Sequence, residues 1–416
     1  MIMSKAPITI NGRIFNWPKR TLVVICLDGS EPAYTDEARK RGLMPNLEKL
    51  IAKGGEYRAD SVIPSFTNPN NLSIVTGRLP EVHGICGNYL IDPETGLETM
   101  MNDPKWLRAP TVFAEFQKAG ARILMVTAKD KLRLLLSKGL VFDGSAIAFS
   151  SEKAYLATTS SNGITDPCTA WGIALPDVYS GALSEFVFAA GVKLIPEMRP
   201  DLVYLSTTDF IQHKFGPMEQ GALEFYAMFD RYVGELDALG VSLIITADHG
   251  MNNKHTPDGK PDVLYLQDAL DSIFGAGKTK VILPITDPYV VHHGALGSYA
   301  AIYLYGMEVS DVGQYVRGLA GIDLVLEKAE ACACFGLPPD RTGDLVAISG
   351  GPTKSKVIGT SAKAHDLSGL DVPLRSHGGI TEQRVPFFIN GPVSALPEGL
   401  RNFDAFFVGC NSVEYS

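Results

Sequence analysis

Val241-Ser-Leu-Ile-Ile-Thr-Ala-Asp248-His249-Gly250 is the stretch that decides the fold of this 416-residue chain. Its first seven residues form a short run that is mostly apolar and β-branched, which predicts a buried strand of a parallel sheet. The run then delivers a carboxylate, an imidazole and a glycine together. In open α/β sheets, ligands bind at the carboxyl ends of the strands. We therefore expect Asp248 and His249 to lie in a functional site.

A second acid–histidine pair, Asp209 and His213, follows another strand-like run over residues 201–207. Two such pairs at strand ends predict a metal site, and two metal ions. Imidazole combined with carboxylate suits zinc, and manganese is an alternative, whereas magnesium rarely takes this much imidazole.

Strand-like and helix-like runs alternate along the rest of the chain. An amphipathic helix is predicted over 44–53, with Pro45 early and two glycines after it. This alternation predicts an α/β fold with a doubly wound, mostly parallel sheet flanked by helices. The predicted strands lie at residues 21–27, 57–63, 121–127, 201–207, 241–247 and 385–390.

Two regions, about 135–180 and 256–365, break this rhythm. The second holds helix-like pieces at 309–319 and 323–334 and strand-like pieces at 300–304 and 345–348. We interpret it as an inserted α+β cap domain over the strand ends. The predicted domains are then a catalytic core over residues 20–255 and 366–416, and a cap over residues 256–365.

The composition limits the partners and the compartment. A net charge of −9 disfavours nucleic acid but leaves a small anionic substrate open, because bound metal ions set the local field. The six cysteines form no CxxC pair, which fits reduced thiols in a cytoplasm. We find no signal-peptide pattern and no apolar run of membrane-spanning length. We therefore expect a cytoplasmic protein with neither nucleic acid nor membrane as a partner.

The segment after the second predicted strand contains a candidate nucleophile, Thr67, just before a helix-like run over 70–76. A hydroxyl at a helix N-terminus faces unpaired backbone N–H groups and the positive end of the helix dipole. That place favours phosphate and lowers the cost of an alkoxide. The segment alone leaves open whether Thr67 is a nucleophile or only an N-cap, and Asn70 could cap equally well.

The same segment closely resembles the nucleophile region of the nucleotide pyrophosphatase/phosphodiesterases, which belong to the alkaline phosphatase superfamily. The resemblance covers most of the predicted core in the family's order and leaves out the 256–365 insertion. It implies an alkaline phosphatase-like core. The matching residues are Pro64-x-x-Thr67-x-Pro69-Asn70-x-x-Ser73-Ile-Val-Thr-Gly77-x-x-Pro80-Glu81-x-His83-Gly84-Ile85-x-x-Asn88, Asp209-x-x-x-His213-Lys-x-Gly216-Pro217, Ala247-Asp248-His249-Gly250-Met251 and Ser376-His377-Gly378-Gly379.

Within that superfamily the chain looks most like the phosphonoacetate hydrolases. The resemblance rests on Thr127-Ala-Lys129-Asp-Lys131, on the size of the cap, and on Arg375-Ser-His377-Gly-Gly followed by Val385-Pro-Phe. It implies a hydrolase that binds two Zn²⁺, with Mn²⁺ or another divalent metal as an alternative. It would cleave the carbon–phosphorus bond of phosphonoacetate, a small anionic phosphonate, through a phosphothreonine on Thr67. The sequence does not show the oligomeric state, and a homodimer is compatible with it.

The resemblance also implies a role for each candidate site residue. Asp28, Asp248 and His249 would hold one ion together with Thr67, and Asp209, His213 and His377 would hold the other. Lys129 and Lys131 would bind the substrate carboxylate, and Asn88 would donate a hydrogen bond to a phosphoryl oxygen. Without the resemblance, the lysines fit a solvated charge run and Asn88 fits a turn.

The other histidines have weaker claims on the site. His83 is interpreted as a turn or helix-packing residue. Four more histidines fall in or beside the predicted cap, and the sequence does not decide whether any of them contacts the substrate. They are His255, His292, His293 and His365.

Three rival functions remain. A phosphodiesterase or nucleotide pyrophosphatase would use the same metals and nucleophile, but its substrate's nucleobase usually needs an aromatic slot. A phosphoglycerate mutase-like isomerase would share the acid–histidine pairs, but its nucleophile segment and the place of its insertion differ. A metal-binding pseudoenzyme is disfavoured, because all seven catalytic positions carry suitable chemistry.

Overall fold

The computed structural model describes residues 5–177, 180–286, 294–365, 367–368 and 370–414. Nineteen strands are present in those ranges. In chain order they are β1 (Ile8–Ile10), β2 (Arg13–Phe15), β3 (Leu22–Cys26), β4 (Gly55–Asp60), β5 (Tyr89–Ile91), β6 (Glu98–Met100), β7 (Ile123–Thr127), β8 (Ala146–Ser150), β9 (Leu202–Ser206), β10 (Ser242–Thr246), β11 (Asn252–Asn253), β12 (Val263–Tyr265), β13 (Thr279–Ile282), β14 (Tyr299–Leu304), β15 (Ile322–Glu327), β16 (Leu345–Ser349), β17 (Val357–Gly359), β18 (Arg375–Ser376) and β19 (Arg384–Ile389).

Fifteen α-helices alternate with or follow these strands in the described ranges. Among them, none is both long and apolar enough to cross a membrane. In chain order they are α1 (Pro32–Lys40), α2 (Pro45–Lys53), α3 (Thr67–Thr76), α4 (Pro80–His83), α5 (Val112–Lys118), α6 (Asp130–Leu136), α7 (Thr159–Asn162), α8 (Pro167–Trp171), α9 (Ala182–Met198), α10 (Phe210–Lys214), α11 (Gln220–Ala238), α12 (Leu266–Phe274), α13 (Val309–Arg317), α14 (Lys328–Phe335) and α15 (Ala405–Asn411).

The central sheet has seven strands in the order β4-β19-β10-β3-β9-β7-β8. The five strands from β10 to β8 pair in parallel. Strand β19 runs antiparallel to both of its neighbours, so β4 points in the same direction as the other five. The predicted α/β fold with a mostly parallel sheet is confirmed, and β19 makes the sheet mixed.

Helices cover both faces of this sheet, and the side chains of the central strands divide between two apolar layers. In β3, Val24 and Cys26 belong to one layer, whereas Val23 and Ile25 belong to the other. This division follows from the two-residue period of a strand. Because both faces are covered, every residue of β3, β9 and β10 is buried, which explains the continuous apolar runs in the sequence.

Two sequence-based expectations about secondary structure are wrong. Strand β8 lies inside 135–180, a region predicted to break the alternation, and it extends the central sheet by pairing with β7. Residues 323–327, predicted as helix, lie in β15, which pairs antiparallel with β16. A capping box at Glu327 starts helix α14 only at residue 328. The alternating strand pattern of residues 322–327 therefore outweighed the helix propensity of the residues that follow them.

A second, antiparallel sheet has the strand order β13-β14-β16-β15 and lies within residues 256–365 together with helices α12 to α14. Its apolar residues are continuous with the central core, because Val346 of β16 and Val24 of β3 belong to the same buried cluster. Strand β11 pairs with β18 just beside this region. The division into a core and a cap remains a prediction.

Candidate metal centre

Three aspartates lie just beyond the carboxyl ends of three adjacent parallel strands. Asp28 follows β3, Asp209 follows β9 and Asp248 follows β10. Because parallel strands end at the same edge of a sheet, the topology brings the three carboxylates together. All three lie in the protein interior or at its margin, with Asp248 fully buried and the side chain of Asp209 13% exposed.

The backbone turn at Gly29 allows this convergence. Gly29 has a φ of +69°, and a Cβ built on it would lie 2.9 Å from the Cβ of Asp209. A side chain here would meet both a strained backbone and a neighbouring aspartate. Glycine is therefore the residue that lets the chain carrying Asp28 pass close to Asp209.

Replacing Gly29 with alanine should therefore disturb the site as well as the fold. We expect the metal-free protein to lose about 1–3 kcal/mol of unfolding free energy through strain and crowding, and zinc affinity to fall. Gly42→Ala is the matched control, since Gly42 has a φ of +73° and a Cβ built on it would meet no described atom within 4 Å. It should lose stability without losing zinc affinity in a titration of both variants. Equal zinc affinity in the two variants would contradict this account of Gly29.

Two groups of candidate ligand atoms form at this edge, with all atoms of each group within 4.8 Å of one another. One comprises Asp209, His213 and His377, and the other comprises Asp28, Asp209 and His249. The Asp209 Oδ2 atom lies 2.8 Å from His213 Nε2 and 3.7 Å from His377 Nε2. The Asp28 Oδ1 atom lies 3.3 Å from His249 Nε2. The rings of His249 and His377 stack, with centroids 3.6 Å apart.

Each of the three imidazoles is oriented by a backbone carbonyl. The Nδ1 atoms of His213, His249 and His377 lie 2.8, 2.9 and 2.8 Å from the carbonyl oxygens of Arg375, Gly250 and Ser65. A carbonyl oxygen can only accept, so each Nδ1 carries the hydrogen. The Nε2 atom of each ring then faces the carboxylates, as in histidines that bind metals.

The electrostatics of this cluster favour a bound cation. Burial, together with the charges of Asp209 and Asp248, raises the pKa of Asp28 well above its usual range. Burial and the two neighbouring imidazoles hold the pKa of His377 well below its usual range. Burial also acts to raise the pKa of Asp209, but His213, His377 and His249 hold it well below its usual range.

Buried carboxylates and imidazoles therefore lie together in one cluster. The Oδ1 atom of Asp28 is buried and accepts no hydrogen bond from the described residues. A divalent cation among these atoms would satisfy both the carboxylates and the imidazoles, so the residues fit the predicted metal.

Asp248 lies beside both groups but belongs to neither of them. Its Oδ1 atom accepts hydrogen bonds from the backbone N–H groups of Gly29 (3.2 Å) and His249 (3.0 Å). Its Oδ2 atom accepts one from Asn71 Nδ2 at 3.1 Å. The role of Asp248 as a ligand remains a prediction, as do the roles of the other ligands.

Thr67 is the first residue of α3, and the N-cap position is held by Phe66. The N-cap interpretation of Thr67 is therefore wrong, and Asn70 does not occupy that position either. The side chain of Asn70 instead stabilises the preceding turn, because it accepts a hydrogen bond from the Val62 N–H at 2.7 Å. The Thr67 Oγ1 atom lies 3.4 Å from His249 Nε2, at the margin of the aspartate–histidine cluster.

Two residues next to Thr67, Ser65 and Asn71, support the site, and neither was predicted from the sequence. The Ser65 hydroxyl donates to the Gly379 carbonyl at 2.8 Å and accepts from the Gly378 N–H at 3.1 Å, so it fastens the His377 loop. Only their position beside Thr67 could have indicated these two residues.

Asn71 joins the nucleophile helix to the strand ends. Its Nδ2 atom donates to the Thr67 carbonyl at 3.0 Å and to Asp248, and its Oδ1 atom accepts from the Tyr204 hydroxyl at 2.7 Å. One buried amide therefore sets the position of the candidate nucleophile relative to Asp248.

The structure relates Lys129 to this cluster. Lys129 lies two residues beyond the end of β7 and is the N-cap residue of α6, at the same edge of the sheet as the aspartates. Burial raises the pKa of Asp28, and the Lys129 ammonium is close enough to act against that increase. Lys131 lies in the first turn of α6 and is half-buried. The Asp130 side chain between them accepts from Ser150 Oγ at 3.0 Å, which fixes the start of this helix.

The contacts of Asn88 do not join it to the aspartates or histidines. Its Nδ2 atom donates to the Ile285 carbonyl at 3.4 Å. Its buried Oδ1 atom has no hydrogen-bond partner within the described part of the chain. The roles of Asn88, Lys129 and Lys131 in substrate binding remain predictions.

The other histidines among the described residues have local structural partners. His83 is fully buried, with Nε2 2.9 Å from the Ser73 hydroxyl, as expected of a packing residue. His255 and His365 bond to the carbonyl oxygens of Thr256 and Gly294. His292 and His293 lie outside the described residues.

Residues 22–303 match the family model of the type I phosphodiesterases / nucleotide pyrophosphatases. The chain belongs to the type I phosphodiesterase / nucleotide pyrophosphatase family. Thr67 and five of the six candidate metal ligands fall within the matched range, and His377 comes from beyond it.

Solved structures include one that is similar to this phosphodiesterase-family chain over nearly its whole length. Phosphonoacetate hydrolase from Sinorhizobium meliloti 1021, solved in complex with phosphonoacetate and with phosphonoformate, is 56% identical. The match covers 99% of this chain and 100% of that chain, with a TM-score of 0.95. Murine ectonucleotide pyrophosphatase/phosphodiesterase 5 shares the fold, with a TM-score of 0.65 at 17% identity over 95% of this chain and 97% of that chain.

Curated relatives of this phosphodiesterase-family chain match over shorter stretches. An uncharacterised pyrophosphatase/phosphodiesterase of Schizosaccharomyces pombe is 39% identical over 94 residues, which is 22% of this chain and 18% of the relative. The chain spans 25% or less of the length of five such relatives.

Proposed function

We propose that this chain hydrolyses the carbon–phosphorus bond of phosphonoacetate, giving acetate and phosphate. The observation that carries the proposal is the 56% identity, over 99% of the chain, to an enzyme crystallised with phosphonoacetate. The geometry supports it, because an aspartate–histidine cluster and the Thr67 hydroxyl lie together at one edge of the sheet, and Lys129 follows a neighbouring strand at that edge.

The proposed cofactors are two divalent cations, with zinc favoured by the ligand types. Asp209, His213 and His377 would hold one. Asp28, His249 and Thr67 would hold the other, with Asp248 as a further ligand. When bound, the cations would supply positive charge that favours an ionised Thr67 hydroxyl and neutralises the phosphonate oxygens.

Thr67 acts as the nucleophile in the proposed reaction. Its oxygen forms a bond to phosphorus as the carbon–phosphorus bond breaks, and the electron pair of that bond leaves with the carbon. The result is a phosphothreonine and a carboxymethyl carbanion, which takes a proton to become acetate. Water then breaks the bond between phosphorus and the Thr67 oxygen, which releases phosphate and restores the hydroxyl.

Lys129 and Lys131 act on the leaving group. The negative charge of the departing carbanion spreads onto the two carboxylate oxygens as an enolate. Ammonium groups at these oxygens stabilise the transition state more than the ground state, because the charge grows there as the bond breaks. Asn88 is proposed to donate a hydrogen bond to a phosphonate oxygen.

The experiment that tests the proposal is phosphate release by the zinc-loaded protein from three phosphonates, with hydrolysis of one diester measured beside it. Phosphonoacetate should be hydrolysed, whereas 2-aminoethylphosphonate and phosphonoacetaldehyde, which lack the carboxylate, should not. Bis(4-nitrophenyl) phosphate tests the rival diesterase function, which the family match favours. Faster turnover of the diester than of phosphonoacetate would contradict the proposal.

Replacing Lys129 with alanine should separate these two activities. We expect kcat/KM for phosphonoacetate to fall by about 100- to 1,000-fold, because one donor aimed at developing charge is lost. Hydrolysis of the diester should change much less, because the diester has no carboxylate for the ammonium group to bind. Lys118→Ala, on the exposed face of α5, is the control and should change neither. Equal losses on both substrates in Lys129→Ala would mean that Lys129 is structural.

A further inference from the structure

A buried ion pair lies next to the chain segments that carry two of the candidate metal ligands. Lys254 and Glu382 are both fully buried, and the Lys254 Nζ atom lies 2.9 Å from Glu382 Oε1. Neither is a candidate metal ligand. Taking two charges out of water costs several kcal/mol per ion, so a buried ion pair often adds little net stability. Its contacts indicate another purpose.

Glu382 contacts the two chain segments that carry His249 and His377. Its backbone carbonyl accepts from the Gly250 N–H at 2.7 Å, directly after His249. Its Oε2 atom accepts from the Gly379 N–H at 3.1 Å, just after His377. Its Oε1 atom accepts from Asn252 Nδ2 at 2.7 Å, on the same segment as His249. One residue therefore holds both imidazole-bearing segments.

The ion pair keeps Glu382 in the form that these contacts need. Burial acts to raise the pKa of Glu382, but Lys254, Thr381 and Asn252 hold it below its usual range. An ionised carboxylate only accepts, so every donor around it is satisfied. Lys254 in turn donates to the Lys354 carbonyl at 2.9 Å, which links the pair to the loop between β16 and β17.

We propose that Glu382 is a positioning residue that sets the spacing of His249 and His377 and so couples the binding of the two cations. The proposal rests on the proposed function, in which the two imidazoles bind different ions. Their rings stack at a centroid distance of 3.6 Å with an interplanar angle of 6°, so a shift of either segment alters both. Glu382 acts through the two segments and does not touch the cations.

The test uses Glu382→Gln in the full chain. Glutamine keeps the size of the side chain but removes the charge and places an amide donor among the existing donors. Zinc binding to metal-depleted protein is measured by competition with a chromophoric chelator, beside the midpoint of thermal unfolding with and without zinc. We expect both zinc affinities to fall by about 10- to 100-fold, as when other supports of metal ligands are removed, because the Glu382 side chain contacts the segments of both imidazoles.

Asp230→Asn is the matched control. Asp230 is also a buried carboxylate, but it accepts from the backbone N–H groups of Asn46 (3.0 Å) and Leu47 (2.7 Å) at the start of α2. Its loss should lower the unfolding midpoint of the metal-free protein and leave both zinc affinities unchanged. A purely structural role for Glu382 would give the same pattern as this control.

Thr381→Val provides a milder variant in case Glu382→Gln does not fold. The Thr381 hydroxyl donates to Glu382 Oε1 at 2.5 Å, so its removal weakens the hold on the carboxylate without removing the charge. We expect both zinc affinities to fall by about two- to tenfold, which corresponds to the loss of one hydrogen bond. Unchanged zinc affinities in both variants, with two zinc ions bound by the wild type, would overturn the inference. A wild type that binds no zinc would instead overturn the proposed function.

Discussion

Thr67→Ala should lower phosphate release from phosphonoacetate by at least about 1,000-fold, because the substitution removes the proposed nucleophile. The side chain of Thr67 makes few structural contacts. It is the first residue of α3 but not its N-cap, and its hydroxyl lies 3.4 Å from His249 Nε2. The unfolding midpoint should therefore hardly change. Initial rates of phosphate release at saturating zinc measure the loss.

Two variants show whether the lost hydroxyl is responsible. Thr67→Ser keeps an oxygen nucleophile and should keep measurable turnover. Thr76→Ala makes the same chemical change at the other end of α3, where the hydroxyl donates to the Leu72 carbonyl at 2.7 Å. It should lower the unfolding midpoint and leave the turnover nearly intact. Turnover by Thr67→Ala near that of the wild type would rule out a phosphothreonine.

Removal of divalent metal should abolish the hydrolysis of phosphonoacetate. Protein dialysed against a chelator and then against metal-free buffer should show no phosphate release above background, since both activation of the hydroxyl and neutralisation of the phosphonate depend on the cations. Zinc should restore activity with a stoichiometry of two per chain. Manganese should restore part of it and magnesium little, because the site offers three imidazoles.

The same removal should also destabilise the protein. Burial and the charges of Asp209 and Asp248 raise the pKa of Asp28, and a bound cation would offset this unfavourable setting for a carboxylate. A ligand that binds only the folded state stabilises it by about 2.7 kcal/mol at 100 times its dissociation constant. The unfolding midpoint should therefore rise with added zinc. Full activity after exhaustive chelation, with no zinc left in the protein, would contradict the proposed role of the cations.

The sequence predicted the parts of this protein that follow from strand periodicity. The runs ending before Asp28, Asp209 and Asp248 became β3, β9 and β10 because buried parallel strands need apolar side chains on both faces. Once these strands are parallel neighbours, their carboxyl ends must coincide. The convergence of the three aspartates was therefore predictable before any contact was known. His377 follows β18, which lies outside this sheet, and its place in the site was implied only by the family resemblance.

Contacts between distant segments were not predictable in this way. Ser65, Asn71 and Glu382 carry no motif, and their importance depends on groups that the fold brings to them from far along the chain. The same limitation applies to β15, where an alternating strand pattern runs directly into the capping box of α14. When a short strand runs directly into a short helix, the propensities of the single residues do not show where the strand ends and the helix begins.

The proposed reaction depends on two cations bound beside the Thr67 hydroxyl, and anomalous diffraction at the zinc edge tests this directly. Crystals grown with zinc should show two peaks. One should lie about 2.0–2.3 Å from ligand atoms of Asp209, His213 and His377, and the other at the same distance from those of Asp28, His249 and Thr67. A map with no anomalous peak among these side chains, in crystals that contain zinc, would contradict the proposed metal centre.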